Sequence, residues 1–241
     1  MRNRILILNI LVILFLLFCY NLFCQTDVAD IAAARLQADG TNVKITGRVK
    51  VSGYGFINYS DFFIQDSSGT DGQTGIFVYY GSRVTCVDGD TISDLIGQIT
   101  TYSNQRELNI LSSQVQTPTN HTITDPLPEI VPLEITGTDF ISNYANIEGE
   151  IVAIHGTFDA GDVGNTFTQL TDYNFTTLDA QVIAVRMVRN CALIGQTIPS
   201  GEQTVIGGAV LYGTTYEIYP RYLTDLEPYS PAKSKSWSLY E

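Results

Sequence analysis

Leu95-Ile-Gly-Gln-Ile-Thr-Thr-Tyr-Ser-Asn-Gln-Arg-Glu-Leu-Asn-Ile110 occurs a second time, diverged, as Val205-Ile-Gly-Gly-Ala-Val-Leu-Tyr-Gly-Thr-Thr-Tyr-Glu-Ile-Tyr-Pro220. Ile96, Gly97, Tyr102 and Glu107 return as Ile206, Gly207, Tyr212 and Glu217, all 110 positions on. Each copy alternates apolar and polar residues, breaks at Ser-Asn or Gly-Thr, and alternates again. That is a β-hairpin with one buried face. The offset is too long for a stacked solenoid repeat, so a whole small domain is duplicated.

Outward from the hairpin, other segments pair as well. Val43-Lys-Ile-Thr-Gly47-Arg-Val matches Val152-Ala-Ile-His-Gly156-Thr-Phe, and Gly75-Ile-Phe-Val-Tyr-Tyr80 matches Val182-Ile-Ala-Val-Arg-Met187. Phe62-Phe-Ile-Gln-Asp66 corresponds more loosely to Phe167-Thr-Gln-Leu-Thr-Asp172. Each unit reads as three strands, a short connection and two more strands, with the length differences placed in loops. Asp27–Leu36 carries helical spacing led by an acid and stopped by Gly40. It predicts a helix lying across the end of the first barrel. A short helical turn is expected over Asp88–Ser93, and another short helix over Asp139–Asn146. Pro118, Pro126, Pro128 and Pro132 mark residues 118–132 as a stiff linker between domains at 27–117 and 133–228, with a tail at 229–241.

Residues 1–24 read as a secretory signal peptide: Arg2 and Arg4 precede an apolar run free of acids. A retained membrane anchor is the competing reading, because the run approaches the ~20 residues that span a bilayer. Removal of the segment takes the 13 basic residues to 11 against 25 acidic ones, about −14. Cys86 and Cys191 then remain, one per unit. Neither domain holds an internal disulfide, and burial as free thiols is expected.

Catalytic constellations are not visible. His121 and His155 stand in no metal-ligand spacing, and there is no nucleophile elbow or phosphate-binding glycine loop. The Asp66–Gly72 turn lacks the ligand order of a calcium loop and reads as a solvated turn. Glu107 and Glu217 recur, and as members of separate barrels they read as strand-edge residues that hold their hairpins. No cofactor and no metal are expected. The alternation places Ile64, Ile76 and Val78 inside, which turns Phe63, Gln65, Phe77 and Tyr79 outward as the candidate ligand-binding face. Those aromatics either bind a ligand or cover the other repeat. The second unit carries Ala184 and Arg186 at the positions of Phe77 and Tyr79, so binding is expected in the first.

Thr46-Gly47-Arg-Val, Phe63-Ile-Gln-Asp66-Ser-Ser-Gly, Gly75-Ile-Phe-Val-Tyr79 and Tyr216-Glu-Ile-Tyr-Pro-Arg-Tyr-Leu-Thr-Asp225 together resemble the tandem OB-fold, nucleic-acid-binding-like domains of secreted bacterial proteins. The resemblance implies an all-β chain of two five-stranded barrels with short helices, located outside the cell or at the cell surface. It marks the fold far better than the ligand, since OB barrels carry many functions. In such barrels the face of the second and third strands binds oligonucleotides or oligosaccharides. The acidic chain disfavours a polyanion, whose phosphates draw on Lys and Arg. The expectation is therefore a non-catalytic binding or accessory module for a glycan or an envelope or secreted protein. A single-stranded nucleic-acid binder is the alternative, and a hydrolase with an unrecognised site stands third.

Overall fold

The computed structural model describes residues 25–57, 61–66, 72–112, 121–124 and 126–231. The signal-peptide reading of residues 1–24, most of the Asp66–Gly72 turn and most of the tail lie outside the described residues. Two sheets build the molecule, and neither contributes a strand to the other.

The second sheet shows the repeated unit most clearly. A short strand β10 (Leu133–Glu134) leads into two helices, α2 (Gly137–Ser142) and α3 (Tyr144–Ile147). Five strands follow: β11 (Ile151–Phe158), β12 (Thr171–Thr177), β13 (Val182–Met187), β14 (Gln203–Tyr212) and β15 (Thr215–Tyr219). They pair in the order β11-β12-β13-β15-β14, and β14 returns to β11, which closes a five-stranded barrel. The β13–β15 pairing is parallel and the others are antiparallel. A last strand β16 (Leu226–Pro228) adds to β14.

The first sheet repeats this plan: β1 (Gln25–Val28), α1 (Ile31–Arg35), β2 (Asn42–Ile45), β3 (Val49–Ser52), β4 (Phe62–Gln65), β5 (Gly75–Tyr79), β6 (Thr91–Ser93), β7 (Leu95–Tyr102) and β8 (Gln105–Asn109). Phe77 pairs with Glu107 in parallel register, as Ala184 pairs with Glu217. Thr100 stands opposite Glu107 across the hairpin, as Val210 stands opposite Glu217. The duplication therefore extends to strand register. Here, however, the first strand of the barrel is broken into β2 and β3, which lie near opposite ends of the sheet and are joined by Thr46-Gly47-Arg48, and the sheet curls into a half-barrel. The break has a local cause. Thr46 N–H and Gly47 N–H donate to the carbonyls of Val28 and Ala29 at 2.8 and 2.9 Å, and a Cβ on Gly47 would collide with the Ala29 carbonyl. At the matching Gly156 the strand runs on through its bend, and a Cβ there would collide with Thr176.

Several expectations need correction. The helix predicted over Asp27–Leu36 starts only at Ile31. Asp30 caps it by accepting from Ala33 N–H at 2.7 Å, and residues 25–28 form β1 parallel to β2. Edge pairing claims that segment before its helical spacing is used. Thr91–Ser93 is strand β6, and the nearby helical turn lies earlier, at Gly81–Arg83. The segment matching Phe62–Gln65 is Thr171–Thr177, since Asn174 faces Ala184 as Phe63 faces Phe77. Described parts of the proline-rich segment pack on the first unit. Thr122–Ile123 forms β9 on β6, and Lys50 Nζ, almost fully buried, reaches Glu129 at 2.9 Å. Cys86 and Cys191 are buried free thiols, pushed by burial to about 12 and about 11. Among the described residues no helix is long and apolar enough to cross a membrane.

Two apolar clusters form. One fills the first unit around Phe62, Ile64, Ile76 and Val78. The other fills the second barrel, and it also takes in Ile57 and Phe63 from the first unit.

Candidate functional site

The alternation sorts the side chains of β4 and β5 as expected: Ile64, Ile76 and Val78 enter the first core, and Phe63 and Phe77 point the other way. That other face is not open. Phe63 is fully buried, packs on Phe77 with centroids 5.2 Å apart, and sets the far end of its ring against Gly208 of β14, where a Cβ would overlap it. Gln65 is buried too. Its Oε1 accepts from Ile151 N–H at 3.1 Å, and its amide reaches Thr74 Oγ1 at 3.4 Å. Phe63 and Gln65 are thus seam residues, inaccessible to a ligand. Period two names the face of a strand but not what covers it.

The seam continues with paired polar groups. Glu150 accepts from Thr74 N–H and Oγ1 at 2.7 and 3.0 Å. Gln105 Oε1 accepts from Tyr144 OH at 2.6 Å and Leu211 N–H at 2.8 Å. The hairpin tips touch, with Asn104 Nδ2 donating to the Gly213 carbonyl at 2.6 Å and Gly213 N–H to the Ser103 carbonyl at 2.7 Å.

Between the hairpin tips and the Phe63 contact the two outer faces part into a cleft of about 250 Å³. Phe77, Tyr79 and Glu107 line it from the first unit, and Val210, Tyr212 and Tyr219 from the second. Tyr102 and Tyr212, equivalent residues of the two copies, stand at its mouth, exposed, with rings 6.2 Å apart. Tyr79 rests against Tyr80 at 4.1 Å, and the Arg83 guanidinium lies over the far ring at 4.2 Å. No Lys or Arg is among the residues that line the cleft.

Glu107 is 5 % exposed and accepts one hydrogen bond, from Thr100 Oγ1 at 3.2 Å. Burial raises its carboxyl to about 7, and the Thr100 bond only partly offsets this. Glu217, 3 % exposed, lies beside the second wall, opposite Val210 and two residues before Tyr219. Burial, aided by Asp172, raises it to about 7 as well, against the opposing effects of Tyr219 and Arg186. Its Oε2 has no hydrogen-bond partner. Neither glutamate lies on an edge strand: β8 runs between β7 and β5, and β15 between β14 and β13. Thr100 does tie Glu107 across its hairpin, but the Glu107 carboxyl also lines the cleft, whereas Glu217 is not among the lining residues.

No known protein family and no curated protein matches the chain. Of the four residues singled out from the sequence, Phe77 and Tyr79 line the cleft. Asp61, Tyr102, Gln105, Glu107, Tyr212 and Tyr219 were not anticipated there. The recurrence of Tyr102 with Tyr212 and of Glu107 with Glu217 was the signal available for three of the lining positions, Tyr102, Glu107 and Tyr212. Among the described residues, no group of three or more His, Cys, Asp or Glu side chains is placed to hold a metal.

Proposed function

We propose that the chain is a non-catalytic binding module of two OB-like barrels, acting outside the cell, whose inter-unit cleft takes a glycan. The observation that carries this reading is the lining: tyrosine rings with carboxyl and amide groups, and no basic side chain. Sugar rings present C–H faces to aromatic planes and hydroxyls to carboxylates and amides, so such a wall offers both contacts. The tandem OB reading is supported by the shared strand order and by the parallel third–fifth strand register in both copies. A nucleic acid is disfavoured because the cleft has no cation for phosphates and the chain carries a net charge of −12.

The test is calorimetric titration with glucan, xylan and mannan oligosaccharides, beside a labelled single-stranded oligonucleotide at low salt. Saturable glycan binding that Tyr79→Ala and Tyr102→Ala each weaken roughly two- to tenfold is expected, matching about 0.5–1.5 kcal/mol per aromatic contact. Oligonucleotide binding that falls steeply with salt, with no glycan response, would overturn the reading in favour of a nucleic-acid binder.

A further inference from the structure

We propose that the cleft selects an amino sugar, a glycan residue with a free ammonium group seated on Glu107 and its ring against Tyr79 and Tyr219. This inference rests on the glycan reading above and names the substrate class within it.

The site has too few donors. Glu107 is nearly buried, faces the cleft, and accepts one long hydrogen bond from Thr100. Buried carboxyl oxygens are ordinarily satisfied, and those that are not ask for an explanation. Asp61, also on the lining, is engaged at Oδ1 by Tyr80 N–H at 2.9 Å. No lining side chain supplies a positive charge. A sugar hydroxyl donates one hydrogen bond without charge. An ammonium donates three and neutralises the carboxylate, while tyrosine faces add a cation–π attraction that strengthens when desolvated.

The charged groups around the two carboxyls set a further signature. Tyr79 and Tyr102 face Glu107, and Asp172, Arg186 and Tyr219 face Glu217. Arg186 is held at 2.7 Å by Asp172. Burial leaves Glu107 partly protonated near neutrality, so a bound ammonium drives it to ionise and a proton is released to solvent. A neutral sugar gives no such release.

The experiment uses the purified chain and four probes: oligomers of glucosamine, of N-acetylglucosamine and of glucose, and methylamine. Affinity is measured by titration calorimetry at about pH 6 to 7 in two buffers of different ionisation heat. The expected result is that the glucosamine oligomer binds at least about tenfold tighter than the other two. Its heat also depends on buffer in the sense of proton release, and Glu107→Gln brings the ratio of affinities towards one. The buffer dependence is read on the unaltered protein, so the test survives a variant that folds poorly. Equal affinity for the amino and N-acetyl forms, or binding without proton release, overturns the ammonium inference and leaves the glycan reading standing. Methylamine binding as tightly as the glucosamine oligomer also overturns it, because the sugar ring then contributes nothing. No response to the glucosamine oligomer overturns the inference, and no response to the xylan and mannan oligomers either removes the glycan reading with it.

Discussion

Glu107 and Glu217 are the residues that most constrain how this protein responds to pH. In the folded state both carboxyls are raised to about 7, chiefly by burial. A carboxyl raised on folding makes the native chain bind more protons than the unfolded chain between the two pKa values. Stability therefore falls as pH rises through that window, from about 4.5 to about 7, and levels off above it. Each group opposes folding by roughly 2–4 kcal/mol on the alkaline side, at about 1.4 kcal/mol per pH unit. The double variant Glu107→Gln, Glu217→Gln should flatten this part of the profile, as read from urea midpoints between about pH 5 and pH 8. A profile unchanged in the double variant would mean that other groups set it. From the sequence alone the two glutamates were visible as a recurrence. Their burial was not, because it depends on two outer faces meeting, which no local pattern encodes.

At the scale of elements, strand periodicity performed well and strand boundaries less so. Alternation in β4 and β5 divided Ile64, Ile76 and Val78 from Phe63 and Phe77 correctly, and the hairpin repeat located β7–β8 and β14–β15. The break between β2 and β3 and the capture of residues 25–28 as an edge strand were not legible. Both come from one long-range event, the passage of the Val28–Ala29 backbone against Thr46 and Gly47. Glycine at 208 was equally opaque in the sequence, yet it is what lets β14 approach β4. Gly208→Ala should cost about 1–3 kcal/mol through overpacking against Phe63. Phe63→Ala alone should cost about 3–5 kcal/mol. Together the two should cost clearly less than their sum, because the added methyl enters the space the ring leaves, and a chemical-denaturation cycle measures the coupling. Strict additivity would place the Phe63 ring elsewhere.

The whole molecule is expected to unfold as one thermodynamic body, because each unit lends residues to the other. Ile57 and Phe63 belong to the first sheet's chain segment but sit in the second barrel's core. Arg35, at the end of α1, forms a buried pair with Glu148 at 2.8 Å and donates to the carbonyls of Gly75 at 2.9 Å, Ala145 at 2.9 Å and Glu148. Arg221 holds Asp225 at 2.9 Å and reaches Ser52 in the first unit, while Tyr222 OH donates to Asp88 at 2.7 Å. A buried ion pair is weak evidence for net stability, but removal of one partner leaves a desolvated charge. Arg35→Ala should therefore lower stability by about 3–5 kcal/mol, whereas an exposed pair such as Arg186–Asp172 should yield about 1 kcal/mol or less to Arg186→Ala. Separating the units would expose Phe63, Gly208 and the polar seam at once, so neither unit gains by unfolding alone. Scanning calorimetry of the unaltered protein should show a single transition whose calorimetric and van't Hoff enthalpies agree, and the two halves expressed separately, divided near residue 125, should not fold apart. Two resolved transitions, or a first unit that folds without the second, would show that the seam is too weak to couple them, and a cleft shared between the units would then be too loosely held to fix a ligand.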